Sequence, residues 1–154
     1  MTDMSNAEAV PFSTTLHVRD HCLCLHAQRA ARALARRFDR AFRHLGINNG
    51  QFSLLMALNR PEPPAMSPVA DLLAMDRTTL TAVLKPLTRR GLVEIVAGET
   101  DRRERRLKLT PEGLAILAQA KPIWVAEHAD VENKLPQGDG DRLRQDLLII
   151  SRDV

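Results

Sequence analysis

The sequence predicts a mainly α-helical fold carrying one small β-hairpin, and three observations predict it. Apolar residues recur at helical spacing through most of the chain. The period changes to strand-like alternation only around Leu92 to Val96 and Arg106 to Leu109. Capping residues, prolines and glycines stand where helix ends need them.

Residues 1 to about 13 are small or polar and interrupted by Pro11, which reads as a flexible tail. From about Leu16 to Leu45 one helix is expected. Leu23, Ala27, Ala30, Leu34, Ala41 and Leu45 recur along one stripe, which Phe38 and Phe42 widen. Arg29, Arg32, Arg36, Arg40 and Arg43 take much of the rest. A helix of roughly 30 residues would be ~45 Å long, more than so small a domain can cover. Part of its apolar stripe is therefore expected to meet a second chain.

Gly46 and the Asn48-Asn49-Gly50 run mark a break, and Gln51 to Asn59 reads as a short helix. Pro61-Glu62-Pro63-Pro64 makes a stiff connection. Ser67 as N-cap and Pro68 at the first helical position start a helix running to about Ala74. Asp76 caps the next helix, with Leu80, Leu84 and Leu87 on one face and an end before Gly91. Two strands follow, joined by the polar loop Gly98 to Glu104. Thr110-Pro111 starts another helix, with a bend expected at Pro122. A final helix, capped by Asp139 or Asp141, is expected to turn Leu143, Leu147 and Ile150 inward. The order from Ser67 to Leu109 is that of a winged helix-turn-helix.

Charge is distributed unevenly. Between Arg77 and Lys108 lie nine Lys/Arg against four Asp/Glu, while the rest of the chain is weakly acidic. One basic segment on such a body suggests a localised polyanion contact. With four Phe, one Trp and no Tyr, few rings are left to stack single-stranded bases. The first ten residues show no basic region followed by an apolar run, and no apolar run is long enough to span a membrane. A cytoplasmic protein that does not enter the membrane is the expectation. No phosphate loop, nucleophile motif or paired carboxylates point to an enzyme, and no cofactor is expected.

Two elements carry the expected chemistry. On the helix from Asp76, Thr78, Thr81, Lys85 and Arg89 form one stripe opposite the leucines. Threonine offers a hydroxyl to base edges and a methyl to thymine, while Lys and Arg reach phosphate or guanine. At the hairpin tip, Arg102, Arg103, Arg105 and Arg106 suit the narrow, electronegative minor groove. Asp101 and Glu104 lie among them, so at least one of these arginines is expected to be structural.

The run Val69-Ala70-Asp71-Leu72-Leu73-Ala74-Met75-Asp76-Arg77-Thr78-Thr79-Leu80-Thr81 resembles the multiple antibiotic resistance regulator (MarR) family. So do Leu84-Lys85-Pro86-Leu87-Thr88-Arg89-Arg90-Gly91-Leu92-Val93 and Asp101-Arg102-Arg103 ahead of Leu109-Thr110-Pro111-Glu112-Gly113. The resemblance implies a single domain over residues 14–154. Its winged helix-turn-helix would span about 50–110, with dimerisation helices at about 14–46 and 110–153. It implies a homodimer on a palindromic operator in double-stranded DNA, with half-sites ~10 base pairs apart. Thr78, Thr79, Thr81 and Lys85 would enter the major groove and Arg103 the minor groove. Arg77, Arg89, Arg102 and Arg105 complete the expected DNA-binding set. A regulator, more often a repressor in this family, is the implied function. An architectural DNA-binding protein without an effector is the alternative, and a winged helix used for protein interaction is a further rival.

Members of the family often respond to phenolic ligands. A pocket for a small aromatic effector is expected near Phe38, Phe42, Met56 or Trp124. One branch senses organic hydroperoxides through a cysteine early in the first helix, and Cys24 falls at its position. The tyrosines that surround that cysteine are absent here, with Phe38 and Asn49 at the matching places. Cys22 and Cys24 are two apart, so on a continuous helix they point away from each other and do not pair. His17 and His21 could share a face with Cys24, but zinc wants further ligands that the sequence does not supply, and no metal is expected.

Overall fold

The computed structural model describes residues 10–152. These fold as α1 (Phe12–His21), α2 (Leu23–Phe42), a 3₁₀ turn (Arg43–Leu45), α3 (Asn49–Leu58), α4 (Met66–Leu72), α5 (Arg77–Arg89), β1 (Val93–Ala97), β2 (Arg105–Leu109), α6 (Pro111–Glu132) and α7 (Asp139–Arg152). The chain divides into two compact units inside α2, between Leu34 and Ala35. Residues 1–9 of the expected tail lie outside the described residues, and α1 begins within its last two positions.

The single long helix is corrected to two. Cys22, at φ −72° and ψ 110°, leaves the helical region, and α2 restarts at Leu23. The Leu25 N–H points at Cys22 Sγ, 3.4 Å away, so the thiol stands where an N-cap acceptor would. Hydrophobic periodicity carried no sign of this break, because both halves keep helical spacing. In the first unit Leu23, Ala27, Ala30 and Leu34 all remain exposed.

The core belongs to the second unit. Phe42 is fully buried and stacks on Phe52 with ring centroids 4.7 Å apart. Around them pack Leu54 and Leu55 of α3, Val69 of α4, Leu80, Leu84 and Leu87 of α5, and Leu107 of β2. Arg37 binds α6 from outside this core, through Glu127 at 2.5 Å and Asp130 at 3.1 Å.

Local chemistry sets most helix ends. α3 starts two residues earlier than expected, because Asn48 and Gln51 form a reciprocal capping box. α5 has the expected cap, with the Asp76 carboxylate accepting from Thr79 N at 2.6 Å. α5 also runs through Pro86 without interruption. It closes at Gly91 (φ +70°), where Gly91 N reaches Thr88 O and Leu92 N reaches Leu87 O. The same pair of bonds closes α4, from Ala74 N to Asp71 O and from Met75 N to Ala70 O. There the left-handed position is held by Ala74, at φ +50°.

Two expected caps are corrected. α4 starts from Ala65, which has no side-chain cap, so Ser67 and Pro68 sit inside its first turn. The reason is a distant pairing: Ala65 bridges Arg106, and Leu107 N donates to Pro64 O at 2.9 Å. α7 starts at Asp139, which places Asp139 and Asp141 within the first turn, where carboxylates favour the helix dipole. Leu143, Leu147 and Ile150 were expected to turn inward, yet are 43%, 46% and 55% exposed in this chain. α7 has no buried residue at all.

β1 and β2 pair antiparallel from Val93 opposite Leu109 to Ala97 opposite Arg105. Thr110 joins the hairpin to α6. Its hydroxyl donates to Gly91 O at 2.6 Å and accepts from Gly113 N at 3.0 Å. α6 continues through Pro122 as one helix. Among the described residues, no helix is long and apolar enough to cross a membrane.

Candidate nucleic-acid interface

α5 presents two opposite faces. Leu80, Leu84 and Leu87 are buried, while Arg77, Thr78, Thr79, Thr81, Lys85 and Arg89 are exposed. Among the described residues, the cations of Arg77, Lys85 and Arg89 have no carboxylate within salt-bridge distance, so their charge faces outward uncompensated.

The threonines differ in what they can offer. Thr79 serves the cap through its backbone N–H, which donates to the Asp76 carboxylate at 2.6 Å. That backbone bond, foremost, holds the Asp76 carboxyl below its ordinary pKa. Thr81 donates its hydroxyl proton to Arg77 O at 2.8 Å. Ala82, four residues after Thr78, is exposed beside them. Sequence reasoning passed over Ala82 because alanine carries no polar group, although the helical offset placed it in the stripe.

At the hairpin, Arg102, Arg103 and Arg105 are exposed. Their side chains make no hydrogen bond or ion pair with the described residues. Asp101 shapes the loop by accepting from Arg103 N at 2.9 Å. Arg106 is the structural arginine. Its Nε and one terminal nitrogen reach Glu104 Oε2 at 3.2 and 3.1 Å, and the other donates to Pro63 O at 3.0 Å.

Two of the four residues expected around an effector pocket line one hollow. Met56 and Trp124 line an apolar hollow of about 460 Å³ together with Phe52, Ala57, Leu72 and Lys121. Phe38 and Phe42 do not line it. They are 6% and 0% exposed, packed in the core by the same apolar stripe that made them candidates. In the first unit, Cys24 is exposed and accepts from Gln28 Nε2 at 3.1 Å, and Cys22 is partly exposed. The His17 and His21 rings stack at 4.2 Å, and His21 Nδ1 lies 2.8 Å from His17 O. No group of three or more His, Cys, Asp or Glu side chains converges among the described residues.

A capped helix with a bare basic face, followed by a hairpin with a bare basic tip, defines a winged-helix DNA-binding protein. Residues 47–113 match the family model described as a winged helix DNA-binding domain. The transcriptional regulator MosR of M. tuberculosis, in complex with DNA, is 38% identical. That match covers 86% of this chain and 95% of MosR, with a TM-score of 0.77. The repressor CouR bound to a 23-mer DNA duplex is 28% identical over 88% of this chain and 96% of its own, at a TM-score of 0.77. CouR from Rhodococcus jostii RHA1 has also been solved bound to p-coumaroyl-CoA; that chain is 20% identical and shares the fold. The HTH-type transcriptional regulator PecS of Dickeya dadantii is 27% identical over 119 residues, 75% of this chain and 72% of PecS. The chain belongs to the MarR family of winged-helix transcription regulators.

Proposed function

We propose that this regulator binds a palindromic operator as a homodimer and releases it in response to a signal, acting as a repressor in the cytoplasm. α5 enters the major groove through Thr78, Thr79, Thr81 and Lys85. The hairpin tip reaches the minor groove through Arg103. Arg77, Arg89, Arg102 and Arg105 neutralise phosphates on either side. The observation that carries this reading is that these cations are exposed without partners among the described residues, on the two elements a winged helix presents to DNA. Exposed Leu143, Leu147 and Ile150 on α7 favour a second copy of the chain as their cover.

Two features favour a signal. The hollow beside Met56 and Trp124 is apolar and large enough for an aromatic effector. Cys24 is exposed, as an oxidant-sensing thiol must be. In either case the signal acts through its differential affinity for DNA-binding and released conformations.

The test is fluorescence anisotropy on the DNA upstream of the gene and on a scrambled duplex, across a range of salt. Tight binding to the upstream duplex alone supports the reading. Equal binding to both supports an architectural protein, and no salt-dependent binding would sink the DNA-binding role. Arg103→Ala should weaken binding by ~1–3 kcal/mol and lower the salt slope by about one. An unchanged slope would assign Arg103 to holding the loop.

A further inference from the structure

We propose that the centre of the α5 face reads thymine by its 5-methyl group, through Thr81 and Ala82. This rests on the reading that α5 lies in the major groove, and it assigns the base edge that this part of the helix recognises.

The argument begins with the proton of Thr81. A threonine hydroxyl has one proton and two lone pairs. In α5 that proton is committed to Arg77 O at 2.8 Å. Outward, Thr81 therefore has a γ-methyl and acceptor lone pairs, but no donor for guanine O6, guanine N7 or thymine O4. Thr79 lies at the first turn, where its backbone N–H donates to the Asp76 carboxylate at 2.6 Å. Ala82 follows Thr81 on the exposed face and has only a methyl.

The helical offsets complete the picture. Thr78, Thr81, Ala82, Lys85 and Arg89 fall within one stripe at steps of three and four. Along it, a hydroxyl near the N-terminus gives way to two adjacent methyl-bearing positions, then to two cations. In the major groove the thymine methyl is the one apolar group that a base pair presents. An apolar patch at the middle of a helix otherwise built for polar contact fits that group. A cytosine at the same place would set its bare C5–H and its N4 amino group against these methyls.

The experiment starts by selecting a tight site from random duplexes with the wild-type protein. Each thymine of the half-site is then replaced singly by deoxyuridine, which removes only the 5-methyl. At one or two adjacent positions the replacement should weaken binding about fourfold, the value of one buried methyl group. Thr81→Val retains a γ-methyl and should keep the thymine-over-uracil ratio at its position. Thr81→Ser lacks it and should bring that ratio to about one. Ala82→Gly should do the same at the neighbouring position.

Uracil tolerated throughout the half-site would overturn the inference while leaving sequence-specific binding intact. A ratio that collapses in Thr81→Val would also overturn it, by showing that the hydroxyl does the reading. Failure to select any site would overturn the DNA-binding reading itself, and this assignment with it.

Discussion

Ala74 is the place where one atom group can be removed with a calculable result. It holds the left-handed position after α4, at φ +50°, and the two bonds that close the helix depend on it staying there. For a residue with a Cβ, that conformation costs roughly 1–2 kcal/mol. Ala74→Gly removes this cost and keeps both hydrogen bonds. The gain is reduced by the greater freedom of glycine in the unfolded chain, about 0.4–1 kcal/mol. A net stabilisation of about 0.5–1 kcal/mol remains, equivalent to roughly 1–4 °C in melting temperature for a chain of this size. Urea unfolding at one fixed protein concentration is the suitable assay, because association would shift the apparent stability. The midpoint should rise while the slope stays unchanged. A lower or unmoved midpoint would refute the reasoning, showing that the turn is held by something other than its backbone conformation.

Four further variants probe neighbouring parts of the fold. A Cβ on Gly113 would stand 2.1 Å from Leu92 O, so Gly113→Ala should destabilise by several kcal/mol, roughly 3 or more, or abolish folding; chemical denaturation that finds it within about 0.5 kcal/mol of wild type would contradict the packing of α6 against the hairpin. Asp76 is held below its ordinary pKa foremost by the bond from Thr79 N, so its contribution is present above the ordinary carboxylate range, ~4. It is lost as pH falls through the lowered value. Asp76→Asn should therefore flatten the acid limb of a stability-versus-pH curve, and an unchanged acid limb counts against the cap. Arg106→Ala should weaken DNA binding without that residue touching DNA, because Glu104 and Pro63 lose their common partner. Its partner variant Glu104→Gln should be less than additive with it in anisotropy, and full additivity would separate the two residues.

The parts legible from sequence are those fixed by neighbours in the chain. Asp76, Gly91 and Thr110 act on residues within a few positions, so the boundaries of α5 and the start of α6 could be read directly. The hairpin was equally plain, since alternation and a polar loop are both local signals. What escaped depended on partners far along the chain or outside it. The start of α4 is set by β2, some 40 residues later, through the Ala65 bridge to Arg106. The fate of Leu143, Leu147 and Ile150 turns on a cover that one chain does not supply. Phe38 and Phe42 read as pocket walls in the sequence because an apolar stripe looks the same whether it lines a hollow or fills a core. The basic stripe is visible residue by residue, but the commitment of the Thr81 hydroxyl to Arg77 O is not.

The link between the proline connection and β2 bears on how any signal could act. Pro63, Pro64 and Ala65 are fastened to Arg106 and Leu107, and Ala65 leads straight into α4. At the other end of the hairpin, Thr110 is fastened back to Gly91, where α5 closes. The hairpin is thus tied near its tip to the residues before α4 and at its base to those after α5, so wing and α5 behave as one jaw of a caliper. Withdrawing the wing alone would break both ties. In the homodimer proposed above, the economical way to open such a caliper is to leave each jaw intact and change the gap between two of them, so an effector would need to touch neither α5 nor the hairpin.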